Sequence, residues 1–217
     1  MTNVLYFSTS ALVGYLLGAI PFGYLYVKLF RGVDVRQVGS GRTGGTNSFR
    51  AAGLGAGILT SLSDVLKGVT AVWIVSALFN SQIWLPWAQA VAGLFTVIGH
   101  NWSIYIKWAG GAGTGPNVGW SAALWWPMLP ISMAVMVGLL RGLGIASVAS
   151  MAMAVIIPVV FGVRYATGVD STAAYLVAGI ASLLVVLWAL RPNIKRLLDG
   201  TERIVGPRAK RLTKEDE

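Results

Sequence analysis

The chain has 217 residues, 55% of them apolar and only 12% charged, with a mean hydropathy of +0.68 and a formal net charge of +9. That balance lies far outside a water-soluble globular domain and reads as a polytopic membrane protein. The absence of cysteine excludes disulfides, thiol nucleophiles and thiolate metal sites, and a single histidine argues against a zinc or haem centre.

Residues 5–27 form the first apolar run. It lacks a basic n-region, and Pro21 is followed by more apolar chain without an A-x-A-like site, so it reads as a retained span and not a signal peptide. Residues 28–50 then carry five basic side chains, Lys28, Arg31, Arg36, Arg42 and Arg50. Further apolar cores lie near 57–79, 86–106, 145–163 and 172–190, and at about 1.5 Å per residue each reaches, or just reaches, across about 30 Å of hydrocarbon. The 80–85 connection holds no Lys or Arg, and Trp84, Trp87, Trp102, Trp108 and Trp120 fall near span ends, as an aromatic belt would place them.

Segment 115–141 contains Pro116, Pro127 and Pro130 and reads either as one kinked span or as two short ones. Charge decides between them, because Lys and Arg concentrate on the cytoplasmic side. Arg50, Lys107, Arg141 and the eight basic residues from Arg191 onward share one face only if 115–141 crosses an even number of times. The expectation is therefore a single polytopic domain over 1–217, an all-α integral membrane protein of about seven transmembrane helices. Two of these, 115–126 and 128–141, are short and sunken or re-entrant. The amino terminus is outside and the carboxy terminus cytoplasmic. Residues 204–217 read as a charged, flexible tail, and the net positive charge suits anionic headgroups and not nucleic acid.

Chemistry is then sought in the inner loops. "RGVDVRQVGSGRTGGTNSFRAAG", residues 31–53, mixes glycines with hydroxyls, Asn47 and the bidentate donors Arg42 and Arg50, a composition able to form an anion nest. Read alone, the same segment is equally an ordinary basic inner loop. No Walker lysine-serine pair follows its glycines, which argues against an ATP-binding loop. "GHNWSIYIKWAGGAGTGPNVG", residues 99–119, holds the one histidine, His100, then Lys107 and a run of glycines; its imidazole reads either as an interfacial hydrogen-bonding group or as an acid-base group. Asp64 and Lys67 sit three residues apart on one helical face, as an ion pair or a catalytic pair would. "RPNIKRLLDGTE" reads as a short amphipathic helix on the inner surface, carrying Asn193, Asp199 and Glu202.

Together, "GAIPFGYLYVKLFRGVDVRQVGSGRTGGTNSFRAAG" with "DVLKG", then "GHNWSIYIKWAGGAGTG", then "NIKRLLDGTE" resemble the bacterial PlsY-type acyl-phosphate:glycerol-3-phosphate acyltransferase family, over nearly the whole chain. The resemblance implies a seven-span enzyme of the bacterial inner membrane with its motif loops on the cytoplasmic side. The implied reaction moves a fatty acyl group from acyl-phosphate to the 1-hydroxyl of sn-glycerol-3-phosphate, giving lysophosphatidic acid and phosphate in phospholipid synthesis, without metal or coenzyme. It also implies membrane lipids and an acyl-phosphate-producing enzyme as partners.

Carried onto matching positions, the resemblance implies Ser40, His100 and Asn193 as catalytic residues. Gly39, Gly41, Thr46, Asn47, Arg50, Gly110, Gly111 and Gly113 are implied at substrate phosphate, with Asp64, Lys67 and Glu202 in support. The chain departs from the family pattern where Ala109 and Ala112 stand at loop lysines, Arg42 at an asparagine and Ala19 at a serine, and where "RGLGIAS" replaces a serine pair. Arg42 and Lys107 are accordingly expected to supply the missing positive charge, alongside loop backbone N–H groups. The departures leave two other readings open: a diverged paralogue that binds lipid or phosphate without turnover, and a small-solute transporter.

Overall fold

The computed structural model describes residues 3–80 and 83–205. These fold into eight α-helices: α1 (Asn3–Ala19), α2 (Phe22–Arg31), α3 (Gly45–Leu78), α4 (Leu85–Asn101), α5 (Thr114–Leu124), α6 (Met128–Gly142), α7 (Ala146–Ala166) and α8 (Ala174–Leu198). Short 3-10 turns occupy Val35–Gln37 and Ile104–Ile106, and there is no β-strand among the described residues. Among the described residues, four segments are long and apolar enough to cross a membrane, Asn3–Arg31, α3, α7 and α8. The all-α membrane class expected from composition is the one the chain adopts.

Element boundaries depart from the expected spans for identifiable reasons. The first run breaks at Ile20–Pro21, because proline has no N–H to continue the ladder of α1. The second begins a dozen residues early, as α3 includes the end of the basic loop across a kink at Gly53, whose φ of 84° and ψ of −175° suit glycine alone. The third ends at Asn101, where Trp102 leaves helical geometry. The surface helix expected after 190 is instead the end of α8, which runs through Pro192 to Leu198. A helical proline frees the carbonyl four residues back. Here that is Trp188 O, and the Arg191 guanidinium donates to it at 3.0 Å.

Packing follows from small residues that let backbones touch without a hydrophobic driving force between helices. A Cβ on Gly14 would lie 2.3 Å from Ala92 O, and one on Gly99 2.3 Å from Tyr15 O, so α1 and α4 meet backbone to backbone. Gly68 and Gly119 do the same for α3 and α5, where added Cβ atoms would lie 2.5 Å from Pro116 O and 2.0 Å from Val65 O. α5 spans only about 17 Å at 1.5 Å per residue, and it is buried from Pro116 to Ser121. Trp120, placed by the belt expectation at a boundary, is instead fully buried and stacks on Phe161 at 5.7 Å. Its indole N–H is matched by Asn117 Oδ1 at 2.7 Å, which is what allows it into the core. Of the expected tail 204–217, Val205 N–H is pinned to Gly144 O at 2.6 Å; residues 206–217 lie outside the described residues.

Candidate functional site

The first basic loop is ordered by its own side chains. Asp34 accepts from Arg36 N–H at 2.9 Å and pairs with the Arg36 guanidinium at 2.6 Å, and this hydrogen bonding holds the Asp34 carboxyl below its ordinary range. Arg36 also donates to Ile106 O at 3.0 Å, joining the first loop to the second. Asn47 is the centre of the turn: its Oδ1 accepts from Ser40 N–H at 3.0 Å, and the two protons of its Nδ2 are shared among Val35 O, Val38 O and Arg42 O at 2.8–2.9 Å. With both ends of its amide so engaged, Asn47 shapes the loop and has little left for a ligand. Gly39 and Gly41 take φ values of 54° and 71°, left-handed geometry that the turn around Ser40 requires. The Ser40 hydroxyl has no partner among the described residues.

Arg42 leaves this turn and crosses to two other segments. It donates to Gly111 O at 3.1 Å, to Ala189 O, and to Asn193 Oδ1 at 3.1 Å. Burial, followed by repulsion from Arg196 and Arg191, holds its guanidinium below the ordinary arginine value. A bound anion would relieve that crowding of cations. Arg50 lines the same space and makes no hydrogen bond or ion pair with the described residues.

The second loop differs from expectation in what its backbone does. Gly110 N–H donates to Asn101 O at 3.2 Å and Gly111 N–H to His100 O at 3.0 Å, so these amides satisfy carbonyls at the end of α4 and are not free for phosphate. Lys107, expected beside them, takes a left-handed φ of 57°, is exposed, and lines neither cavity of the site. Open donors come from the first turn of α5 instead, where Gly113 is the N-cap and Thr114 and Gly115 line the large cavity. Ala109 lines the small cavity and Ala112 the large one, so the two alanines face ligand space.

At the third block, Asn193 joins Arg42 to a carboxylate, donating through Nδ2 to Glu202 at 2.8 Å. Ser147 and Arg196 donate to the same carboxylate at 3.0 and 2.9 Å. Burial acts to raise the Glu202 carboxyl, but hydrogen bonds from Asn193, Arg196 and Ser147 outweigh it and hold the group below its ordinary value. Sequence reasoning missed Ser147 and Arg196. Ser147 stands 55 residues from Glu202, and no local spacing marks it.

Beneath the loops, Asp64, Lys67 and His100 form a buried cluster. Lys67 Nζ lies 2.9 Å from Asp64 Oδ1, 2.8 Å from His100 Nδ1 and 3.2 Å from Ile20 O. The expected Asp64–Lys67 pair is present, and the histidine joins it across 33 residues of sequence.

These groups surround a cavity of about 640 Å³. Its polar end carries Arg42, Arg50, Arg196, His100, Thr46 and Asn193; its other end is a trough of Leu62, Leu66, Val69, Leu129, Met133 and Val137 from α3 and α6. A second cavity of about 310 Å³ shares Ser40, Arg42 and Arg196 and adds Arg191, Trp102 and Trp108. An anionic headgroup with a long apolar tail matches this division of surface.

Comparison with known proteins agrees with that geometry. The glycerol-3-phosphate acyltransferase family model matches residues 8–200. A glycerol-3-phosphate acyltransferase of Synechococcus sp. (strain CC9902) is 35% identical over 198 residues, 91% of this chain and 94% of the relative. Another, from Trichormus variabilis, is 35% identical over 218 residues, 94% of this chain and 93% of the relative. A crystal structure of PlsY (YgiH), an integral membrane glycerol 3-phosphate acyltransferase, in its glycerol 3-phosphate form superposes with a TM-score of 0.79 at 30% identity, covering 92% of this chain and 96% of that one. Its lysophosphatidic acid form gives 0.78 at the same identity. The chain belongs to the glycerol-3-phosphate acyltransferase family.

Proposed function

We propose that this protein transfers a fatty acyl group from acyl-phosphate to the 1-hydroxyl of sn-glycerol-3-phosphate, at the large cavity, on the cytoplasmic side of a bacterial inner membrane. One observation carries the reading: a polar chamber holding Arg42, Arg50 and Arg196 is continuous with an apolar trough between α3 and α6. The acceptor and the leaving group are phosphates, which arginine forks and the α5 N-terminus can hold, while the trough takes the acyl chain.

In the reaction the acceptor hydroxyl oxygen forms a bond to the acyl carbonyl carbon, and the bond from that carbon to the phosphate oxygen breaks. The hydroxyl proton passes to phosphate, so the products are 1-acylglycerol-3-phosphate and inorganic phosphate. An acyl-phosphate is already activated, so the protein's work is positioning and stabilising negative charge as it moves from the carbonyl to the departing phosphate. Ser40, His100 and Asn193 border that space as the catalytic residues, and Asp64, Lys67 and Glu202 hold them in place. Gly39, Gly41 and Asn47 shape the loop, Thr46 and Arg50 meet phosphate, Gly111 leaves room for the imidazole, and Gly110 and Gly113 let the second loop pack against the end of α4.

Basic residues support the orientation, with the amino terminus outside and the carboxy terminus inside. Arg36 of the first loop bonds the second loop, and Arg42 bonds the end of α8, so the charged segments gather at one end. The donor is soluble only with difficulty, which favours delivery from an acyl-phosphate-producing enzyme at the membrane. The test is an acyl-transfer assay on purified protein with acyl-phosphate and a panel of phosphorylated acceptors. Formation of 1-acylglycerol-3-phosphate is expected; uptake into liposomes without acyl product would establish transport instead.

A further inference from the structure

Lys67 and His100 stand in a relation that decides what the histidine can do. An ammonium group has three protons and no lone pair. Lys67 Nζ donates to Ile20 O at 3.2 Å and lies 2.8 Å from His100 Nδ1, while Asp64 Oδ1 stands 2.9 Å away as its ion-pair partner. Asp64 beside it supplies the balancing charge, and both side chains are almost wholly buried. A proton on Nδ1 would face an N–H across 2.8 Å. The one other group that could receive it, Asp64 Oδ1, lies 3.4 Å away, beyond a good hydrogen bond. Nδ1 therefore presents its lone pair, and the proton of the neutral ring is on Nε2.

Nε2 has no hydrogen-bond partner among the described residues, and His100 lines the large cavity. Gly111 makes this possible: a Cβ there would lie 2.0 Å from Nε2. We infer that Lys67 is a positioning residue that sets the tautomer of His100, so that the ring offers the cavity an Nε2–H donor and not a base. The inference rests on the acyl-transfer reading for its purpose. A neutral donor suits a carbonyl oxygen gaining charge or a phosphate oxygen, and it leaves the hydroxyl proton to the substrate phosphate.

The single histidine makes the test direct, since 15N-histidine labelling of the full chain in lipid nanodiscs yields one imidazole. At neutral pH and without substrate, the spectrum should show an unprotonated, pyridine-type Nδ1 and a protonated Nε2. Lys67→Met should shift it toward mixed tautomers and lower acyl transfer by about 10- to 100-fold, by analogy with loss of a partner that orients a metal-bound imidazole. A buried Asp64 left unpaired threatens folding, so Asp64→Asn/Lys67→Met, which removes both charges together, is the second variant, with the same shift expected. A protonated Nδ1 in the unmodified protein, or an unchanged tautomer in either folded variant, overturns the inference. The spectrum needs no turnover, so the expected tautomer in a protein that acylates nothing would defeat the functional reading while leaving the tautomer assignment standing.

Discussion

Replacement of Arg42 by alanine removes a first-loop side chain that bonds both the second loop and α8. Its guanidinium donates to Gly111 O, Ala189 O and Asn193 Oδ1 and lines both cavities. A charge-assisted hydrogen bond is worth about 1.5–3 kcal/mol. One such bond to phosphate, with some loosening of Gly111 and Asn193, amounts to about 2–4 kcal/mol of transition-state interaction, or about a 30- to 1000-fold fall in kcat/KM. The assay measures 1-acylglycerol-3-phosphate from acyl-phosphate and labelled glycerol-3-phosphate in purified protein. Arg141→Ala is the control, because Arg141 is exposed and lines neither cavity. A fall of less than about threefold for Arg42→Ala, or an equal fall for Arg141→Ala, would refute the placement of this cation at the reacting groups.

Further outcomes follow from the same geometry. If Arg42 stands in for a loop lysine, Arg42→Asn should be strongly impaired and Ala112→Lys in that background should recover at least about tenfold, whereas Ala112→Lys alone crowds a second cation beside Arg42 and gains nothing; additivity in that double-mutant cycle would contradict the exchange. Gly111→Ala drives a methyl into the His100 ring, so activity should be lost together with about 1–3 kcal/mol of stability, read by turnover and thermal unfolding. Glu202, held below its ordinary value of 4.5, favours the ionised folded state. Its contribution to stability is complete above that value and fades as pH falls through the lowered one. The gap in unfolding temperature between the unmodified protein and Glu202→Gln should therefore be full at neutral pH and shrink in acid; a gap independent of pH would show that the carboxylate charge is not what Ser147, Asn193 and Arg196 recognise.

Composition and charge carried the class, because a bilayer admits few solutions: long apolar runs become helices, and their Lys and Arg gather on one face. Arg42 stood out because it lies in a basic, glycine-rich loop between spans, whereas Ser40, His100 and Asn193 were singled out as catalytic by the family resemblance. Periodicity could not say that α2 would separate at Pro21 or that α8 would continue through Pro192, where Arg191 caps the freed Trp188 carbonyl.

What only tertiary structure decided was the assignment of partners. Asn47 looks in sequence like a ligand for phosphate, yet it holds its own loop; Gly110 and Gly111 look like open amides, yet they close α4. Ser147 and Glu202 meet across 55 residues, and His100 meets Lys67 across 33, through side-chain hydrogen bonds that leave no periodic trace in the chain. Hydropathy is a property each residue carries by itself and sums along a segment. A hydrogen bond in a buried site belongs to two residues at once, and its second member is chosen by how the helices pack.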